Sequence, residues 1–212
     1  MAHSRFGRGA SSLFLLLASL FAGAAAQAQE GKVQGGDLML ADFEGGKAET
    51  VPGLAFIVIG DEQLGGLSGA RLTVGHPGAK GTKSALRISF HMADGFQYPF
   101  SGVWALLGTE GMPADLTAYK GLRFYARSAS EGGAFLAGVR QITAPPANYM
   151  AAFDVKPDWT LVELPFAKLQ RVPPTGKASE LDPEGIISIG FSPASRLRGQ
   201  FDLEIDQLEL YK

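Results

Sequence analysis

No cysteine occurs in the 212-residue chain. That excludes disulfides, thiolate metal sites and a cysteine nucleophile, and leaves the apolar core, with or without a metal, to hold the fold together. Histidine is scarce as well: beyond His3 there are only His76, in a Gly-Pro turn, and His91, at the end of a strand-like run. Neither belongs to a metalloprotease helix or stands beside an evident nucleophile. Carboxylates are plentiful, but nothing singles out the pair that glycoside hydrolysis needs. Walker loops and G-x-G-x-x-G turns are absent. With 19 Lys and Arg against 21 Asp and Glu, net charge −2 and no basic block, the chain is not built for nucleic acid. Outside the first 28 residues no stretch repeats its apolar residues every 3.6 positions, which argues against layers of long helices.

One long apolar run is present, Leu13 to Ala26. Arg5 and Arg8 precede it, and Ala24-Ala25-Ala26 and Ala26-Gln27-Ala28 both fit an A-x-A cleavage site. The run is shorter than the roughly 20 apolar residues that span a bilayer. We read residues 1–28 as a secretory signal peptide, 29–36 as a Gly-rich flexible lead-in and 37–212 as one domain. The expected location is periplasmic or secreted, with no membrane span after cleavage. No cysteine follows the run, so no lipid anchor is attached there.

The domain is punctuated by Gly and Pro turns and reads as short strands. Expected strands are 37–44, 54–59, 70–74, 84–91, part of 96–107, 121–127, 134–141, 149–155, 160–165, 186–191 and the closing stretch from Gln200 to Tyr211. Brief helical turns are expected around 113–116 and 166–169. In the closing stretch Phe201, Leu203 and Ile205 alternate with Asp202, Glu204 and Asp206, after which Leu208 and Leu210 fall out of step. A bulge near Asp206 and Gln207 would return all five apolar residues to one face. The expected fold is all-β, an antiparallel sandwich or jelly roll whose first and last strands are neighbours.

Several segments recur in order: Asp42-Phe43-Glu44; Asp61-Glu62-Gln63-Leu64-Gly65-Gly66-Leu67-Ser68; Asp115 to Leu122; Trp159 to Phe166; Ile186 to Phe191; and the closing strand. Together they resemble the complex I (NADH:ubiquinone oxidoreductase) intermediate-associated protein 30 family and the family 11 carbohydrate-binding modules. Both are galactose-binding-domain-like β-sandwiches, and the resemblance spans nearly the whole domain. Where the complex I assembly factors carry an Asn-Gly-Gly-Phe-like segment, this chain reads Ala93-Asp94-Gly95-Phe96-Gln97-Tyr98-Pro99-Phe100.

The resemblance implies a structural Ca²⁺ near the paired termini, with Asp42, Glu44 and Asp206 as oxygen donors and carbonyls of the 75–82 turn completing the shell. The alternative is that these acids are solvated or paired with Lys and Arg. For a ligand, Tyr98, Trp104, Tyr125, Arg140 and Tyr149 are the candidates, because Tyr, Trp and Arg offer flat faces and hydrogen bonds with little flexibility to lose. Apolar parity would send Tyr125 and Arg140 outward, and a meandering chain would place them on one sheet face. Trp159 reads as a core aromatic and Gly65-Gly66 as a tight loop needing positive φ. The function expected is an exported, non-catalytic binding or scaffold module with an envelope protein as partner. A stand-alone glycan-binding module and a hydrolase remain as alternatives.

Overall fold

The computed structural model describes residues 36–51, 53–108, 112–130, 134–144, 146–172, 180–194 and 196–212; the expected signal peptide and nearly all of the expected lead-in lie outside them. The described strands are β1 (Leu38–Ala41), β2 (Phe56–Gly60), β3 (Gly69–Gly75), β4 (Ala85–Met92), β5 (Ser101–Leu106), β6 (Gly121–Arg127), β7 (Phe135–Gln141), β8 (Ala147–Phe153), β9 (Thr160–Pro165), β10 (Gln170–Val172), β11 (Ile186–Pro193) and β12 (Gly199–Tyr211). They form two antiparallel sheets. The first has the order β3-β4-β12-β6-β9, with β1 also on β12; the second is β10-β8-β7-β11-β5-β2.

Alternation explains which face each strand buries. From β6, Leu122, Phe124 and Ala126 point inward; from β7, Phe135, Ala137 and Val139 do the same from the opposite sheet. The Phe124 ring stands edge-on to both Phe153 and Phe191, at 5.2 Å and 86° in each case. Such pairs contribute about 0.5–1.5 kcal/mol each beyond the area they bury.

The 13-residue β12 organises the first sheet. Its first half pairs with β4 and its second half with β1, while β6 pairs along it from Glu204 to Tyr211. The switch falls at a bulge where Gln207 has φ +47° and the register against β6 shifts between Asp206 and Glu209. As the alternation requires, Phe201, Leu203, Ile205, Leu208 and Leu210 are all buried.

Two local expectations change and one unforeseen strand is added. β1 ends at Ala41, and Phe43, at φ +56°, turns the chain away, so Asp42 to Glu44 lies beyond the strand. The turn expected around 113–116 is replaced by a bridge from Ala114 to Ile186. β10, only three residues long, carries no readable alternation.

Candidate functional site

The outer face of the second sheet carries the candidate site. Ile57, Trp104, Gly190, Gly138, Met150 and Gln170 stand opposite one another in a single row across all six strands. The glycines make this row shallow, and the Trp104 indole lies down over Gly190, in the space a Cβ would need. Ile59, Trp104 and Met150 form a small second cluster with Ile57, Phe100 and Leu136 against them. Arg140 spreads over the Trp104 ring, 5.7 Å from its centre, and donates from Nε to Asn148 Oδ1 at 3.0 Å. Burial pushes the Arg140 pKa down.

Beside the cluster runs an open groove of about 670 Å³. Leu136, Met150, Ala152 and Val172 give it an aliphatic floor, and Lys168 and Gln170 stand along it. None of the described residues lining it is aromatic. The floor residues were not singled out by sequence. Leu136 has the outward parity of Arg140, which was the available signal, but β10 was too short to reveal Gln170 and Val172.

The five candidate ligand residues do not share one site. Trp104 and Arg140 are neighbours, as described, but Trp104 is only 6% exposed. Tyr98, 70% exposed, lies in the loop before β5, two residues ahead of Phe100, which packs on the cluster. Tyr125 does point outward, but from the first sheet, where Lys80 lies 5.8 Å from its ring centre. The meander expectation fails because the chain crosses between sheets after β6, so that Phe124 and Phe153 meet across the core. Tyr149 is 2% exposed and faces the core, opposite Val139. Trp159, expected in the core, is half-buried outside it, with the Arg127 guanidinium 4.6 Å from its ring centre.

The three expected Ca²⁺ donors are not gathered into a cage. Asp42 Oδ1 accepts from the Glu44 N–H at 3.1 Å. Glu44 Oε1 accepts the N–H groups of Lys83 and Ser84, both at 2.8 Å. Asp206 is fully buried; its Oδ2 accepts from Ala79 N–H at 2.7 Å and from the Thr82 hydroxyl, and its Oδ1 from Gln207 N–H at 2.7 Å. Glu44 and Asp206 thus fasten the 78–84 turn through donors that face their oxygens, which is poor preparation for a hard cation. Among the described residues no group of three or more His, Cys, Asp or Glu could hold a metal. Burial is the main force raising the Asp206 pKa; its hydrogen bonds oppose it, and the nearby Glu44 adds to it.

Among the described residues, a hydrolytic pair is not formed where a serine approaches a histidine. Ser84 Oγ is 3.4 Å from His76 Nδ1, but the Lys83 carbonyl is 2.6 Å from the same nitrogen. A carbonyl at that distance requires an N–H there, so Nδ1 cannot take the proton of Ser84.

The family described as Complex I intermediate-associated protein 30 (CIA30) matches residues 42–205. Among curated proteins no match is found. Among solved structures, a family 11 carbohydrate-binding module of a cellulosomal cellulase of Clostridium thermocellum superposes with TM-score 0.62 at 19% identity, covering 84% of this chain and 96% of that one. The Clostridium thermocellum family 11 module in complex with a β-1,3-1,4-mixed-linked tetrasaccharide gives 0.58 at 18%, covering 84% and 97%. A family 30 module from a cellulase of the same organism gives 0.53 at 18%, covering 66% and 82%. At these identities the likeness establishes the β-sandwich fold alone.

Proposed function

Because the chain belongs to the Complex I intermediate-associated protein 30 family, we propose that it is an exported, non-catalytic binding module whose partner is a protein of the cell envelope. The observation that carries the reading is the aliphatic groove beside a covered tryptophan. A pyranose stacks on an open aromatic face, and Trp104 does not offer one. Leu136, Met150, Ala152 and Val172 instead form a strip suited to apolar side chains of a polypeptide. Lys168 and Gln170 supply polar contacts along it.

The test is capture from a native envelope extract by wild type and by Ala152→Arg and Val172→Arg. Both positions are exposed, so the new side chains enter the groove without disturbing the core. Loss of a captured protein in both variants supports the reading; equal capture by all three proteins overturns it. Glycan binding is a second reading, favoured by the open ring of Tyr98 and by the tetrasaccharide complex of the family 11 module. Saturable binding of a mixed-linkage β-glucan oligosaccharide, lost in Tyr98→Ala, would replace the first reading with the second.

A further inference from the structure

Residues 93–100 form an arm between β4 and β5, and it is tied down at both ends by one short segment of sequence. At its start, Ser68 Oγ accepts the Ala93 N–H at 3.1 Å and lies 3.3 Å from the Ala93 carbonyl. At its end, Asp61 Oδ2 accepts the Phe100 N–H at 2.9 Å, while the Asp61 N–H donates to the Phe100 carbonyl at 3.0 Å. Asp61 Oδ1 accepts the Ser68 N–H at 2.7 Å, which joins the two anchors to each other. Asp61 and Ser68 are both fully buried. The glycines between them follow from this geometry. Gly65 takes φ +88°, and a Cβ on Gly66 would collide with the Asp61 carboxylate.

Between its anchors the arm is not buried. Phe96 leans on Phe100 at 6.2 Å and 68°, and Phe100 in turn packs on the Trp104 cluster. Tyr98 stands out in solvent at the tip. Leu67, also exposed, lies under the arm at Gly95. A large aromatic side chain held in water by a buried carboxylate and a buried hydroxyl gains nothing for the core. It does remove the ordering cost that a flexible loop would meet on binding.

We infer that the 93–100 arm is a pre-organised recognition element, that Tyr98 is its contact to the protein partner, and that Asp61 and Ser68 are its positioning residues. The inference rests on the binding reading given above and adds the arm to the groove. Replacing Asp61 by Asn leaves one acceptor, for Ser68, and turns a donor toward the Phe100 N–H. That breaks one of the two bonds holding the end of the arm nearest Tyr98, the backbone bond from Asp61 N–H to the Phe100 carbonyl remaining.

Hydrogen exchange of amides 94–98 and 100 tests the anchoring without any ligand. In Asp61→Asn their exchange rises by at least about tenfold while β4 and β12 keep their protection. Ser68→Ala, which loosens only the Ala93 end, serves if Asp61→Asn does not fold. Unchanged exchange in the arm, or an equal rise in the core strands, overturns the positioning role. Capture from the envelope extract tests the contact. Tyr98→Ala is expected to lower it by at least about tenfold at an unchanged melting temperature, and adding Asp61→Asn to Tyr98→Ala is expected to lower it no further. If Ala152→Arg abolishes capture and Tyr98→Ala does not lower it, the arm is overturned and the groove stands. If neither variant lowers it, the groove reading falls and the arm with it.

Discussion

Trp104 occupies the place where a side chain on Gly190 would stand. A Cβ on Gly102 would also come within 2.8 Å of the indole Nε1. The ring therefore lies where its own strand, at Gly102, and the neighbouring β11, at Gly190, lack side chains, with Arg140 over it. Gly190→Ala must lift the indole off the sheet, an overpacking change that costs about 1–3 kcal/mol. In a Trp159→Phe background, which leaves Trp104 as the single tryptophan, the substitution is expected to shift the emission to the red and lower the melting temperature. An unchanged spectrum and melting temperature would show that the ring does not lie there.

Tyr149 and Tyr125 separate core from surface. Tyr149→Ala empties a place in the core and is expected to destabilise by about 3–5 kcal/mol, by analogy with other large aromatic truncations. Tyr125→Ala, on the outer face of the first sheet, is expected to stay within about 1 kcal/mol of wild type. Urea midpoints of the two variants check the assignment, and the reverse ranking would contradict it.

The sequence made these faces only half legible. Strict alternation in Leu122 to Arg127 and Phe135 to Arg140 marked Tyr125 and Arg140 as outward; both leave the core, but Arg140 is buried against Trp104. Which sheet each strand joins depends on a crossover that leaves no local signature, so the two residues were placed together when they are apart. Around Tyr149 the neighbours Met150, Ala151 and Ala152 are all small or apolar, and parity could not choose a face. The bulge in β12 was readable because five apolar residues with one phase slip have a single repair. The pinning of the arm was not, because Asp61 and Phe100 are 39 residues apart and meet through a backbone N–H that carries no residue identity.

The raised pKa of Asp206 has a signed consequence. A carboxyl whose folded pKa lies above its unfolded value favours the folded state when protonated. Its contribution is fully present below the unfolded value of about 3.9 and is lost as pH rises through the folded value. Asp206→Asn is expected to flatten this part of the stability profile, starting from about pH 4. Denaturant unfolding at several pH values reads it, and a slope identical in both proteins would mean that Asp206 titrates normally.

Because the oxygens of Glu44 and Asp206 face N–H and O–H donors, the 78–84 turn is expected to hold without a metal. Melting temperatures with a chelator and with millimolar Ca²⁺ should agree within error. A rise of several degrees on adding Ca²⁺, lost in Asp206→Ala, would show that the turn rearranges around the ion.

Gln207 is the extra residue of the β12 bulge, and its removal separates two consequences of the bulge. Against β6, Asp206 pairs with Tyr125 and Glu209 with Arg123, so one residue too many lies between them. Deleting Gln207 leaves Leu208 opposite Phe124 and restores simple alternation, with Ile205, Leu208 and Leu210 still inward. The ladder survives, and the loss falls on the 78–84 turn. The deletion removes the Gln207 N–H that Asp206 Oδ1 accepts, and the Gln207 Nε2 bond to the Ala79 carbonyl at 3.3 Å. It also re-aims a buried carboxylate. The expected cost is about 1–3 kcal/mol, the range for leaving buried polar groups without partners. Inserting one alanine after Gln207 does the opposite: it keeps the turn's partners but sends Leu208 and Leu210 to the solvent face. That variant is expected not to fold, since both leucines are fully buried and β1 pairs with this half of the strand. Circular dichroism and thermal melts of the two variants distinguish the cases. A folded insertion variant beside an unfolded deletion variant would mean that the bulge, rather than the alternation, sets the register of the closing strand.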